Sequence, residues 1–268
     1  MSTPPDRTPA PGAPLSGCII AFNEADRITA AIESLAFCDE VLVVDSHSTD
    51  ATREIAAALG ARVIERDWPG HVAQKEFTIR AARHDWVLCI DADERVSAHL
   101  AAEVKELKAR DFEAGVSGPP GWSMPRLTRW MGRWIRHGTW YPDRQLRLFD
   151  RRRGKWGGHD PHDRVELEAP HARLAGDLLH ETYRSLDDHL ATIDKYTTIS
   201  AAGLFARGRR ARTRDLWLRP GWRFLRFYVF KRGFLLGWRG LALAFLAAHY
   251  VRLKYLRLKI LEATEPPS

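Results

Sequence analysis

Four short strand-like runs, each followed by a stretch with helical spacing, limit this chain to a small set of folds. Leu15–Ala21, Val41–Asp45, Arg62–Glu65 and Trp86–Asp91 are too short for helices, and the second and fourth are, up to their closing Asp, continuous apolar runs of the kind buried on both faces of a parallel sheet. Ala25–Leu35, Thr49–Leu59, Val72–Ala82 and Ser97–Arg110 carry the helical pattern, with Ile28, Ile32 and Leu35 on one face of the first. Ser48 or Thr49 is placed to cap the second helix, Gly60 stands just past its end, and Ser97 opens the fourth. Short connections between alternating strands and helices require right-handed crossovers, so the expected class is α/β with a mostly parallel, doubly wound sheet.

Such sheets collect ligands at the carboxyl ends of their strands. The fourth run delivers Asp91 and Asp93 there, one residue apart. Two carboxylates held that close repel each other unless a hard divalent cation lies beside them. Mg²⁺ or Mn²⁺ takes oxygen ligands and keeps positions for water or phosphate, so a nucleoside diphosphate is the expected substrate element. The first strand runs into Asn23 and Glu24 and the second ends in Asp45, at the same edge. Alone, Glu24 would pass for a first-turn helix acid and Ser48-Thr49-Asp50 for a plain cap. Acids at the ends of strands one, two and four together suit a nucleoside, whose base and ribose donate to carboxylates.

Beyond residue 110 the regularity fails. Asp111–Trp122 reads as a Gly- and Pro-rich loop, and Ser123 to about His180 as broken strands that extend the sheet antiparallel. Leu186–Phe205 returns to helix with Leu190, Ile193 and Ile199 on one face. The expected organisation is a flexible tail over 1–14, with five Pro and no apolar run to suggest a signal peptide, then a catalytic domain over 15–206. Within that domain, 15–110 would hold the nucleotide and 111–206 the acceptor. Cys18, Cys38 and Cys89 are too far apart for a C-x-x-C pattern and read as small buried hydrophobes in a reducing cytoplasm.

Residues 207–268 form a third segment, set apart by charge. They hold fifteen Lys and Arg against three acids, whereas residues 1–206 hold 26 against 31. The imbalance calls for a polyanionic partner, nucleic acid or an anionic membrane face. Gly233–Tyr250 is interrupted by Arg239 and His249 and is too short an apolar run to span a bilayer. Aromatic rings interleaved with Arg and Lys from Trp222 to Trp238 fit a segment lying in the interface, so peripheral attachment to an anionic membrane surface is the expectation. The bland counterpart is a domain-covering helix pair with a solvated basic face.

Ile19-Ile-Ala-Phe-Asn-Glu24, Val43-Val-Asp-Ser-His-Ser-Thr-Asp-Ala-Thr52 and Ile90-Asp-Ala-Asp-Glu94, in this order and spacing, resemble family 2 glycosyltransferases of the GT-A fold. Gln74-Lys75, Gln145-Leu-Arg-Leu-Phe149, Pro161-His-Asp-Arg-Val165 and Phe230-Lys-Arg-Gly-Phe-Leu-Leu-Gly-Trp-Arg-Gly240 are similar to the branch of lipopolysaccharide-core β-1,4-glucosyltransferases. The resemblance covers roughly residues 15–255. Four positions depart from that branch: His47 stands where Gly is usual, Glu76 where Asn is usual, Asp163 where Glu is commoner, and Leu236 where Asp is usual.

The resemblance implies a nucleotide-sugar donor (UDP-glucose), a divalent cation, inversion at the anomeric carbon and a lipid-linked glycan acceptor such as the lipopolysaccharide inner core. It implies a cytoplasmic enzyme working on the inner membrane face. Charge and the resemblance together give the expected roles: Asp91, Asp93 and His180 as metal ligands; Asn23, Glu24, Asp45, Lys75 and Asp91 around the nucleotide sugar; and Asp163 as the base, with Asp160 and Glu166 as competitors. Arg164 would serve the base or form a surface pair, and Lys75 would meet the diphosphate or be a solvated helix lysine. Two alternatives stand beside this reading. A nucleotidyltransferase would carry a Gly-rich basic loop where this chain has Ala21-Phe-Asn-Glu24, and a nucleic-acid-binding protein would use the basic C-terminal part without any recognised motif.

Overall fold

The computed structural model describes residues 12–114, 118–159 and 162–264. Most of the expected tail, residues 1–11, lies outside them. The chain divides into two compact units: the chain up to Arg126 with Asp143–His180, and Leu127–Pro142 with the chain from Glu181 onward.

The first unit begins β1 (Leu15–Ala21), α1 (Ile28–Ser34), β2 (Glu40–Asp45), α2 (Thr52–Ala58), β3 (Arg62–Glu65), α3 (His71–Ala81) and β4 (Trp86–Asp91). It continues through β5 (Glu94–Val96), α4 (Ala98–Ala109) and α5 (Asp111–Ala114) into β6 (Gly121–Trp130), whose far end belongs to the second unit. The first four strands are parallel as expected: β1 lies between β2 and β4, and β3 lies beside β2. With β7 (Arg133–Trp134), β8 (Asp143–Asp150), β11 (Ala172–Arg173) and β12 (Leu178–His180) the sheet reaches ten strands, eight in the order β3-β2-β1-β4-β8-β6-β12-β5 with β7 and β11 paired to β6 off that path. Strand β8 is antiparallel to β4, and β6 to β8, which makes the expected antiparallel extension. Strands β9 (Gly154–His159) and β10 (His162–Leu167) form a separate hairpin.

Strand alternation decides which face each residue meets. Ile19, Val43, Leu88 and Ile90 pack with Ile32, Ala56, Leu100 and Val104 of α1, α2 and α4. Cys18, Leu42, Val44, Val87 and Cys89 pack on the other face with Ile79 of α3, and Val165 and Leu167 of the hairpin join them. Asp91 follows Cys89 by two residues and so emerges on the α3 side. The Glu76 carboxylate accepts from the Trp156 backbone N–H at 2.9 Å and fixes the hairpin to α3.

Boundaries shift where side chains of the strand-end loops take backbone donors. Ser48 does not cap α2: its Oγ accepts from Asn23 N at 2.8 Å, and α2 begins at Thr52 with no side-chain cap. Ser97 does cap α4, accepting from Leu100 N at 3.2 Å. The expected loop over Asp111–Trp122 contains α5 and the start of β6.

The second unit holds α6 (Leu186–Ala206), α7 (Leu218–Leu225), a π-helical turn Arg226–Phe230, a 3₁₀ turn Gly233–Leu236 and α8 (Trp238–Thr264). One core cluster of this unit is Trp130, Ile135, Phe227, Leu236, Leu243 and Ala244, which accounts for Leu at 236, and Ala201, Ala211 and Leu258 form another. Gly240 is required, since a Cβ there would come within 1.9 Å of the Gly233 carbonyl oxygen. The expected break after 206 is not where the chain divides, because α6 packs with α8 inside this unit. The α6 face expected from Leu190 and Ile199 is also corrected: these stay 39% and 44% exposed, and the buried row is His189, Ile193, Thr197 and Ala201. No helix among the described residues is long and apolar enough to cross a membrane.

Candidate active site

Asp91 leaves β4 on the face covered by α3, and three other elements of the first unit bring charge to it. Lys75 of α3 is 6% exposed, and its Nζ lies 2.9 Å from Asp91 Oδ1 and 2.9 Å from Asp163 Oδ2 on β10. Arg147 of β8 is 4% exposed and donates to Asp91 Oδ2 at 3.0 Å and to Glu94 Oε1 at 3.1 Å. Arg126 reaches the same Glu94 oxygen at 3.2 Å and Asp143 Oδ2 at 2.6 Å. The result is one alternating chain, Asp163–Lys75–Asp91–Arg147–Glu94–Arg126–Asp143.

Electrostatics follow from that order. Burial alone would raise the Asp91 carboxyl, but the charges of Lys75 and Arg147 outweigh it and hold the group far below the ordinary carboxylate range. Burial likewise opposes the charge of Arg147, and Glu94 and then Asp91 more than restore it. The Glu94 carboxylate also accepts from Asp91 N at 3.0 Å and so shapes the turn between β4 and β5. Trp156 closes this corner, its ring 4.8 Å from Lys75 Nζ and 5.6 Å from the Arg147 guanidinium. Among the described residues, the buried Arg147 Nε and Trp156 Nε1 have no hydrogen-bond partner.

Asp93 stands apart from the chain of pairs. Strand β12 runs antiparallel to β5 with His180 opposite Glu94, and this register brings His180 Nε2 to 3.3 Å from Asp93 Oδ2. Burial pushes the Asp93 carboxyl up, but the hydrogen bond and charge of His180 prevail and hold it below its ordinary range.

The three-ligand metal set expected from sequence is therefore not assembled. Among the described residues no three His, Cys, Asp or Glu side chains converge on one point, and Asp91 is already compensated by two cations. Asp93 and His180 remain as a carboxylate and an imidazole side by side. Two protein donors fit Mg²⁺ or Mn²⁺ at a diphosphate, since such cations take few protein ligands and complete their shell with phosphate oxygens and water.

The other expected residues sort as follows. Lys75 is neither solvated nor free; it joins Asp91 to Asp163. Asn23 adopts φ +55, and its Oδ1 accepts from Thr49 N at 2.8 Å, so it ties the loop after β1 to the loop after β2. Glu24 N donates to Thr52 Oγ1 at 2.9 Å, and its carboxylate lies 3.6 Å from Arg27. Asp45 is fully buried and accepts from both the N–H and the hydroxyl of Ser48. These three build the loops at the sheet edge. Of the competing bases, Asp160 lies outside the described residues. Glu166 has the opposite strand parity to Asp163 and pairs with the exposed Arg164 at 3.0 Å, which settles Arg164 as a surface partner. Arg147, Glu94, Arg126 and Asp143 were not singled out from sequence, although Arg147 and Glu94 sit inside two of the quoted motifs.

Residues 16–166 match the family described as Glycosyl transferase family 2. The chain is 32% identical to lipopolysaccharide core biosynthesis glycosyltransferase LpsC of Rhizobium meliloti, over 83% of each chain. It is 29% identical to an uncharacterized glycosyltransferase of Rickettsia typhi, over 91% of this chain and 86% of that one. Glucosyl-3-phosphoglycerate synthase from Mycobacterium tuberculosis, solved with Mn²⁺, uridine diphosphate and glucosyl-3-phosphoglycerate, overlaps in part. Its TM-score is 0.34 at 27% identity, covering 44% of this chain and 45% of that chain. The chain belongs to glycosyl transferase family 2, and its parallel sheet with antiparallel additions and C-terminal helices is the GT-A architecture. It is a glycosyltransferase, and the nucleotidyltransferase alternative falls.

Proposed function

We propose that this enzyme transfers a sugar, glucose from UDP-glucose, to a lipid-linked saccharide such as the lipopolysaccharide inner core, with inversion and with a divalent cation, at the cytoplasmic face of the membrane. The observation that carries the reading is the pairing of Asp93 with His180 beside an Asp91 already neutralised by Lys75 and Arg147. The relationship to LpsC supports the acceptor class, and the basic, aromatic second unit supports work at a membrane surface.

Asp93 and His180 would hold the cation, which when bound offsets the negative charge of the departing diphosphate. Lys75 and Arg147 hold Asp91 fixed, so that the turn carrying Asp93 does not rearrange as charge develops; such preorganisation is the main source of catalytic stabilisation. The Asp163 carboxylate accepts the proton of the acceptor hydroxyl as its oxygen bonds the anomeric carbon and the bond from that carbon to the diphosphate oxygen breaks. One such displacement inverts the configuration.

The test is a panel of nucleotide sugars with purified protein, Mn²⁺ or EDTA, and detection of released nucleoside diphosphate. Release from UDP-glucose in Mn²⁺ and silence in EDTA support the reading. Equal release in chelator, or preference for another donor, contradicts the cation or the sugar assignment respectively.

A further inference from the structure

Helix α7 and the turn after it carry three stripes with the same four-then-three spacing. Pro220, Phe224 and Phe227 face inward; Pro220 and Phe227 are buried and Phe224 packs against the core. Rotated by one position, Arg219, Arg223 and Arg226 form a basic stripe. On the third side Leu218, Trp222 and Leu225 are 67%, 58% and 46% exposed, so an apolar row faces solvent. A surface helix ordinarily buries its apolar row, and an exposed one marks an interaction surface.

The basic stripe faces α8. Arg219, Trp222, Arg223 and Arg226 line a groove with Lys254 and Tyr255 of α8. Arg219 is paired with Asp215 at 2.7 Å, whereas Arg223, Arg226 and Lys254 have no carboxylate within ion-pair distance among the described residues. Burial, and then the charge of Arg226, holds the Arg223 guanidinium below its ordinary value; burial and the charges of Arg219 and Arg223 do the same to the Lys254 ammonium. Three cations gathered against one another without an acid oppose stability, and a bound phosphate would relieve that repulsion.

We propose that the α7–α8 groove is a binding site for the phosphate head group of an anionic lipid, with Arg223, Arg226 and Lys254 on the phosphate and the Leu218–Trp222–Leu225 row among the acyl chains. Charge and apolar rows side by side choose a lipid over free phosphate, which has no use for the apolar row, and over duplex nucleic acid, which presents no apolar surface to it. The proposal rests on the membrane-surface reading above and sharpens it from diffuse attraction to one groove.

The test is co-sedimentation of the full chain with phosphatidylcholine vesicles, with and without phosphatidylglycerol. Arg223→Gln/Lys254→Gln is compared with Arg207→Gln/Arg209→Gln, which removes the same charge outside the groove. The wild type should pellet with the anionic vesicles. The groove variant should lose roughly thirty-fold in partitioning, five-fold for each charge, while the control variant loses only a few-fold. Millimolar inorganic phosphate should leave binding intact, and the groove variant should melt no lower than wild type and still hydrolyse donor. Equal losses in both variants, displacement by inorganic phosphate, or preferential pelleting with duplex nucleic acid would overturn the groove assignment. A wild type that ignores both vesicles would overturn the membrane reading together with it.

Discussion

Lys75 on α3 and Asp163 on β10, eighty-eight residues apart in the chain, meet at 2.9 Å, and the same lysine nitrogen lies 2.9 Å from Asp91. One buried ammonium thus joins the proposed base to the first carboxylate of the strand-end pair. The base is held in place by a contact that would also register any shift of the β4 edge.

Asp163→Asn should lower turnover by about 10²–10⁴-fold with donor binding near wild type, because a base acts in the transition state and not on the nucleotide. Steady-state kinetics alongside calorimetric donor binding separates the two. If Glu166→Gln shows this pattern and Asp163→Asn does not, the assignment is wrong, contrary to the outward parity of Glu166.

Arg147→Met should destabilise the first unit by about 3–5 kcal/mol, since it leaves Asp91 and Glu94 buried beside one cation fewer. Adding Glu94→Gln should recover part of the loss. Chemical denaturation of the two variants measures it, and additive losses would mean that the buried chain of pairs is not coupled.

In the second unit the neutral His189 ring accepts from Trp130 Nε1 at 3.1 Å through Nδ1. Burial holds its pKa down to about 4, against an ordinary value of 6.5. Between those values the unfolded chain binds a proton that the folded chain refuses, so stability is full above 6.5 and falls as the pH drops toward 4. Melting temperatures across that window should decline in the wild type and flatten in His189→Gln, which keeps an acceptor but does not titrate. An identical slope in the variant would place the acid sensitivity elsewhere.

The parallel half of the fold was legible because its strands are local apolar runs whose ends can be read directly; β1, β3 and β4 fall on the expected residues. The loops were legible in part. His47, at φ +59, occupies a left-handed position, which explains why Gly is usual there and why the loop keeps its shape with His braced by Asp67 at 2.9 Å. Glu76 did not signal its task, because its partner, the Trp156 backbone, comes from a hairpin eighty residues downstream. Arg147 escaped notice for the same reason: only the antiparallel placement of β8 beside β4 brings it to Asp91, and non-local pairing of that kind leaves no periodic trace. Spacing in sequence shows the carboxylates of Asp91 and Asp93 but not Lys75 and Arg147, the cations that pair with Asp91.

The most direct test of the account is the binding of the nucleoside diphosphate released from the donor, measured calorimetrically in Mn²⁺ and in EDTA for wild type, Asp93→Asn and His180→Ala. Asp93 and His180 as the cation's protein ligands require that Mn²⁺ tighten binding in the wild type by at least about tenfold, roughly 1.4 kcal/mol, and that the gain vanish in Asp93→Asn and shrink in His180→Ala. Equal affinity with and without Mn²⁺ in the wild type, or an undiminished gain in Asp93→Asn, would contradict it.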